Sequence, residues 1–209
     1  MQLDNRKQGQ AAIDIVNIAL RKLEEMILDY NEREGSRYLT LADVRDNFLK
    51  HCIEWQERYL RTVATTFVSF FLEWDYRLQM IDLSTTASHE PFFMHLFKGC
   101  LLFESLLKMN PGQRVCKRDT LGELLGNACV LKRLRIEKID NSSDTLDQIV
   151  GSVVPRQTVQ VAVGCSLQTR NRLAHNLGLA VPSLDQQRYD LLGKNIFSSC
   201  LHAISLLYR

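Results

Sequence analysis

The sequence predicts an all-α fold, an antiparallel helical bundle with an N-terminal helical extension. Apolar residues recur at spacings of three and four along most of the chain, the period of an amphipathic helix. Only 10 glycines and 4 prolines occur in 209 residues, too few for a turn-rich β fold. Capping pairs, in which a Ser or Thr is followed three residues later by an acid or amide, stand at Thr40/Asp43, Thr120/Glu123 and Ser183/Gln186.

The elements follow in order. Residues 10–33 place Ile13, Val16, Ile18, Leu20, Leu23, Ile27 and Leu28 at helical spacing, and Gly35-Ser36 ends that helix. Thr40 caps a second helix from about Leu41 to about Ile81, with no Pro or Gly inside. Phe48, Cys52, Trp55, Tyr59, Val63, Phe67, Phe70, Phe71, Trp74 and Leu78 form its apolar stripe. Such a helix spans about 60 Å, and a break is expected at the β-branched pair Thr65-Thr66. The small polar run Ser84-Thr85-Thr86-Ala87-Ser88 reads as a linker, so a boundary is placed between regions 1–85 and 86–209, which can still share one core.

Glu90 to Met109 is the next helix, stopped by Asn110-Pro111-Gly112. Thr120 and Glu123 cap the segment bearing Leu121, Leu124, Leu125, Cys129 and Leu131, and residues 138–144 read as a polar loop. Thr145 to Val154 is a short helix. Pro155 suits the first turn of the following one, which carries Val159, Val163, Leu167, Leu173 and Ala174 and ends near Gly178. Ser183 with Gln186 caps the last helix, through Leu191, Leu192, Ile196, Phe197, Cys200, Leu201, Ile204 and Leu207.

Composition narrows the function. At 45% hydrophobic and 24% charged residues, the chain has a soluble globular composition. No run of about 20 apolar residues suggests a membrane span, and no secretory h-region follows Met1. Cys52, Cys100, Cys116, Cys129, Cys165 and Cys200 form no C-x-x-C pair and read as reduced thiols, mostly buried, as in a cytoplasmic protein. Residues 1–90 carry 11 basic and 15 acidic side chains, and residues 91–209 carry 15 and 9, so the second half is the one suited to a polyanion. His51, His89, His95 and His202 show no metal-ligand spacing, and no Gly-rich phosphate loop is present; no metal or cofactor is expected.

The densest chemistry lies in Thr169-Arg170-Asn171-Arg172-Leu173-Ala174-His175-Asn176. A guanidinium forks onto phosphate oxygens, and an imidazole titrates near neutral pH and moves protons. Arg170-Asn171-x-x-x-His175 resembles the R-x(4–6)-H signature of HEPN domains (higher eukaryotes and prokaryotes nucleotide-binding). The run Arg-Asn-x-x-Ala-His-Asn is typical of that family. Phe97 to Lys108, a Glu-containing apolar segment, looks like the family's earlier core helix. The resemblance covers about residues 90–209. It implies a dimeric, metal-independent endoribonuclease, a toxin or antiviral-defence effector, in which two motif helices build one cleft. The RNA 2′-hydroxyl attacks the adjacent phosphorus, leaving a 2′,3′-cyclic phosphate and a 5′-hydroxyl.

On this reading His175 transfers the proton, Arg170 neutralises the growing phosphate charge and Asn171, one turn before His175, orients the imidazole or the RNA. Arg172 points elsewhere, toward phosphate backbone or solvent. Arg170 and His175 lie about 140° apart on an ideal helix, which argues for a partner chain. Two readings stand for Glu104: it tunes His175, or it pairs with Lys108 one turn on, the preferred choice. Lys132, Arg133 and Arg135, in the basic segment 113–138, either guide RNA or form a solvated face.

The plainer reading of the motif is that its cations complement a helix C-terminal dipole. The competing function is a non-catalytic helical module that binds a nucleotide or partner protein, with residues 1–85 serving assembly or regulation. A separate antitoxin or regulatory protein fits the toxin reading. Some family toxins are restrained by modification of a Tyr two residues after the motif His; here that position is Leu177, which disfavours that form of control.

Overall fold

The computed structural model describes residues 5–34, 38–54, 58–81, 89–109, 119–139, 144–176 and 184–208. Within them every element is helical, and no strand occurs. Helix α1 spans Asn5–Glu34; a π-helical stretch, Asp43–Leu49, leads into α2, Lys50–Glu54; α3 is Arg58–Ile81 and α4 is Glu90–Lys108. Then come α5 (Leu121–Gly126), α6 (Ala128–Leu134), α7 (Leu146–Ser152), α8 (Val159–Asn176) and α9 (Gln186–Leu207). Gly35-Ser36, Trp55, the linker 84–88, Asn110-Pro111-Gly112, Cys116, residues 140–143, Leu177, Gly178 and Ser183 lie outside the described residues.

Helix α9 is central, with 16 of its 22 residues buried, and it packs against α4, α8, α1 and α3. A helix covered on most sides must be apolar nearly all round or have its polar groups bonded. Both hold here. Phe197 is enclosed by the rings of Phe67, Phe70, Phe71 and Trp74 at centroid distances of 5.1–6.2 Å. Among buried polar groups, Ser199 bonds Ser166 of α8 at 2.9 Å, and His202 Nε2 meets the Leu134 carbonyl at 2.7 Å. Two glycines let helices approach closely: a Cβ on Gly99 would sit 2.6 Å from the Phe70 ring, and one on Gly193 would sit 2.6 Å from Trp74.

Residues from both sides of position 85 build this core. Arg33 of α1 donates to Asn195 Oδ1 of α9 at 2.6 Å and pairs with Asp29 at 2.8 Å. Tyr30 is fully buried and its hydroxyl reaches His202 and Ser205 of α9 at 3.0 and 2.9 Å.

Three local expectations are corrected. Helix α3 runs unbroken through Thr65-Thr66: the Thr65 hydroxyl donates to the Arg61 and Thr62 carbonyls, while Val63, Ala64 and Phe67 anchor the turn in the core. The irregular winding lies earlier, at Asp43–Leu49, where Val44 and Phe48 are buried. Pro155 sits in a turn before α8 rather than in its first turn, because Arg156 adopts a left-handed φ of 57° and the helix starts from Thr158, whose carbonyl takes the Ala162 N–H at 2.9 Å. The cap of α9 is Asp185, which accepts from the Arg188 N–H at 2.7 Å. The caps at Thr40, Thr120 and Thr145 form as reciprocal hydrogen-bonded pairs.

Candidate functional site

The motif occupies the last two turns of α8. Leu173 points into the core, and the flanking polar residues turn toward the first turn of α5. Between the two elements lies an open cleft of about 460 Å³, lined by Gln168, Arg170, Asn171, Arg172 and His175 from α8 and by Thr120, Gly122 and Glu123 opposite. Arg170 and His175 therefore share one cleft within a single chain despite their helical offset. The long Arg170 side chain and the opposing α5 turn close the gap that helix geometry alone leaves open.

Glu104 of α4 anchors this arrangement. It is 7% exposed, and its Oε2 accepts both the Leu121 N–H and Arg170 Nε at 3.1 Å. One oxygen thus ties the start of α5 to α8 and fixes the separation of the two cleft walls. Its other oxygen takes Lys108 Nζ at 2.6 Å. A buried carboxylate with three charge-assisted or backbone donors is fully compensated. The Lys108 pairing expected from the sequence is present; the contact with His175 is not, because Arg170 fills that side of the carboxylate.

Arg170 spends only Nε on Glu104; its two terminal nitrogens make no hydrogen bond to a described residue. Its side chain is 16% exposed and faces the cleft, so the free end of the fork is available to an anion. Arg172 does not point away from the motif as its spacing suggested. Its Nε donates to the Asp144 backbone carbonyl, and the guanidinium lines the same cleft. Gln168 reaches Asp144 Oδ2 at 3.5 Å from beside it. His175 is exposed in the final turn and takes no hydrogen bond from a described residue. Asn171 lines the cleft one turn before it.

Lys132, Arg133 and Arg135 do not line this cleft; they sit on α6 and its left-handed C-cap, where Arg135 has a φ of 52°. Sequence reasoning missed Thr120, Gly122, Glu123 and Gln168 as cleft residues. Gln168 was detectable, since it precedes Asn171 by three residues and His175 by seven, both spacings that share a helix face. Thr120 and Glu123 were visible only as a capping box, and nothing local places that box opposite Arg170.

Among the described residues no thiol lines the cleft. Cys52, Cys100, Cys165 and Cys200 are buried and unpaired. Burial pushes Cys52 and Cys165 up to about 11, and raises Cys100 and Cys200 as well. Among the described residues no helix is long and apolar enough to cross a membrane. The chain matches no protein-family model, no curated protein and no solved structure.

Proposed function

We propose that the chain is a metal-independent endoribonuclease of the HEPN type, and that the cleft between α5 and α8 is its active site. The supporting observation is the convergence of Arg170, Asn171 and His175 on one open cleft, with the guanidinium held by Glu104 and its terminal nitrogens unspent. Positive charge at a phosphodiester and a proton-transfer group beside it are the two requirements of 2′-hydroxyl attack. Arg170 and Arg172 receive the phosphate. His175 moves a proton. Asn171 fixes the imidazole or the ribose by its amide.

The reading extends to a homodimer whose motif helices face each other, and to a role as a toxin or defence effector. Incubation of the purified chain with labelled single-stranded RNA in excess EDTA tests the activity. Cleavage is expected, with loss of at least 100-fold in His175→Ala, whose exposed position leaves the fold intact. Equal cleavage by that variant overturns the assignment. Arrest of growth on expression, relieved by the same substitution, tests the effector role.

A further inference from the structure

Glu123 lines the same cleft as His175, from the wall formed by α5. Its Oε2 accepts the Thr120 N–H at 2.6 Å, which fixes the carboxylate in place as half of the capping box. The Thr120 side chain adds a second hydrogen bond to the same carboxylate, whose side chain is exposed to the cleft. The Thr120 hydrogen bonds hold the carboxyl below the usual carboxylate range, with Lys108 and Arg170 adding to the effect, so it is ionised at neutral pH. An ionised carboxylate only accepts. In a cleft whose fixed cations are Arg170 and Arg172, such a group repels a bound phosphate unless it takes up a proton there. The hydroxyl beside the phosphorus is the donor that phosphodiester chemistry supplies.

We infer that Glu123 is the general base of this cleft and His175 its general acid, both contributed by one chain. The inference rests on the ribonuclease reading and assigns the two proton transfers within it. The Glu123 carboxylate takes the proton of the ribose 2′-hydroxyl as the 2′-oxygen forms its bond to phosphorus. The bond from phosphorus to the 5′-oxygen breaks, and imidazolium His175 gives its proton to that oxygen. Arg170 holds the non-bridging oxygens throughout. The products are the 2′,3′-cyclic phosphate and the 5′-hydroxyl; a proton returns from Glu123 to His175 through solvent, and no co-reactant is consumed.

The capping box supplies a test that separates chemistry from structure. Gln serves at the third helical position as Glu does, so Glu123→Gln keeps the Thr120 bond and removes only the base. Cleavage is expected to fall at least 100-fold, the acid limb of the pH–rate profile to vanish, and affinity for RNA with a 2′-deoxy cleavage site to hold or rise. A substrate whose leaving 5′-oxygen is replaced by sulfur needs no general acid. It is expected to restore cleavage in His175→Ala and not in Glu123→Gln. Cleavage by Glu123→Gln within threefold of the unsubstituted chain, with its acid limb intact, overturns the assignment while leaving the ribonuclease reading standing. So does rescue of Glu123→Gln by the sulfur substrate. Absence of RNA cleavage by the unsubstituted chain overturns both.

Discussion

Glu104→Gln is the perturbation most fully specified by the structure. The carboxylate joins three elements, accepting Lys108 Nζ at 2.6 Å, Leu121 N–H at 3.1 Å and Arg170 Nε at 3.1 Å. The amide keeps the shape but removes the charge and turns an NH₂ toward one cation. Lys108 and Arg170 then lose the carboxylate that lies between them and keep only the weaker field of exposed Glu123, with side chains only 15% and 16% exposed. Removing one member of a buried ion network costs about 3–5 kcal/mol. The residual exposure of both cations and the retained amide oxygen bring the expected loss to about 2–4 kcal/mol. For a chain of this size, each kcal/mol lowers Tm by about 2–4 °C, so calorimetry should record a fall of roughly 5–15 °C. A cycle with Arg170→Met should show a coupling above about 1 kcal/mol, as residues in one network do. A Tm within about 1 °C of the parent, or a coupling below the additive limit of about 0.5 kcal/mol, refutes the hub assignment.

Three further outcomes are expected. Gly99→Ala and Gly193→Ala should each cost at least about 1–3 kcal/mol in urea unfolding, because the added Cβ meets a packed aromatic ring at 2.6 Å. His95 is buried between the Phe70 carbonyl and the Tyr189 hydroxyl, and burial lowers its pKa from 6.5 to about 4. Between those values the unfolded chain binds a proton that the folded chain refuses, so stability falls as pH drops through that window, by up to about 3 kcal/mol; denaturant titrations at pH 7, 5 and 4 should show this loss, and His95→Gln should lack it. Thiol labelling of the native protein should modify exposed Cys129 well before Cys52, Cys100, Cys165 or Cys200, with peptide mapping as the readout.

The helices were legible because each carries its own signal. The capping pairs at Thr40 and Thr120 and the apolar periodicity of α4 and α9 are local properties, and local properties survive folding. Irregularity was less legible. The β-branched pair Thr65-Thr66 weakens a helix in isolation, yet here Phe67 and Val63 hold it in the core, and burial outweighs propensity. The π-helical winding at Asp43–Leu49 has no comparable sequence mark.

The motif residues of the cleft were visible as chemistry, but its walls were not. Arg170 and His175 looked incompatible with one cleft when α8 was treated as an isolated helix. The opposing wall comes from α5, and Glu104 of α4 sets its distance. That is tertiary information: three segments meet at one carboxylate. The expected outward turn of Arg172 failed for the same reason, since the Asp144 carbonyl that holds it belongs to the segment before α7.

The central claim is that the Arg170–Asn171–His175 cleft cleaves RNA by attack of the substrate's own 2′-hydroxyl. The chemistry of the product ends tests it most directly. RNA digested by the purified chain in EDTA, analysed by mass spectrometry, should carry 2′,3′-cyclic phosphates and 5′-hydroxyls, and an all-2′-deoxy strand should remain uncut. Products with 3′-hydroxyl and 5′-phosphate ends, or equal cutting of the deoxy strand, would contradict the account.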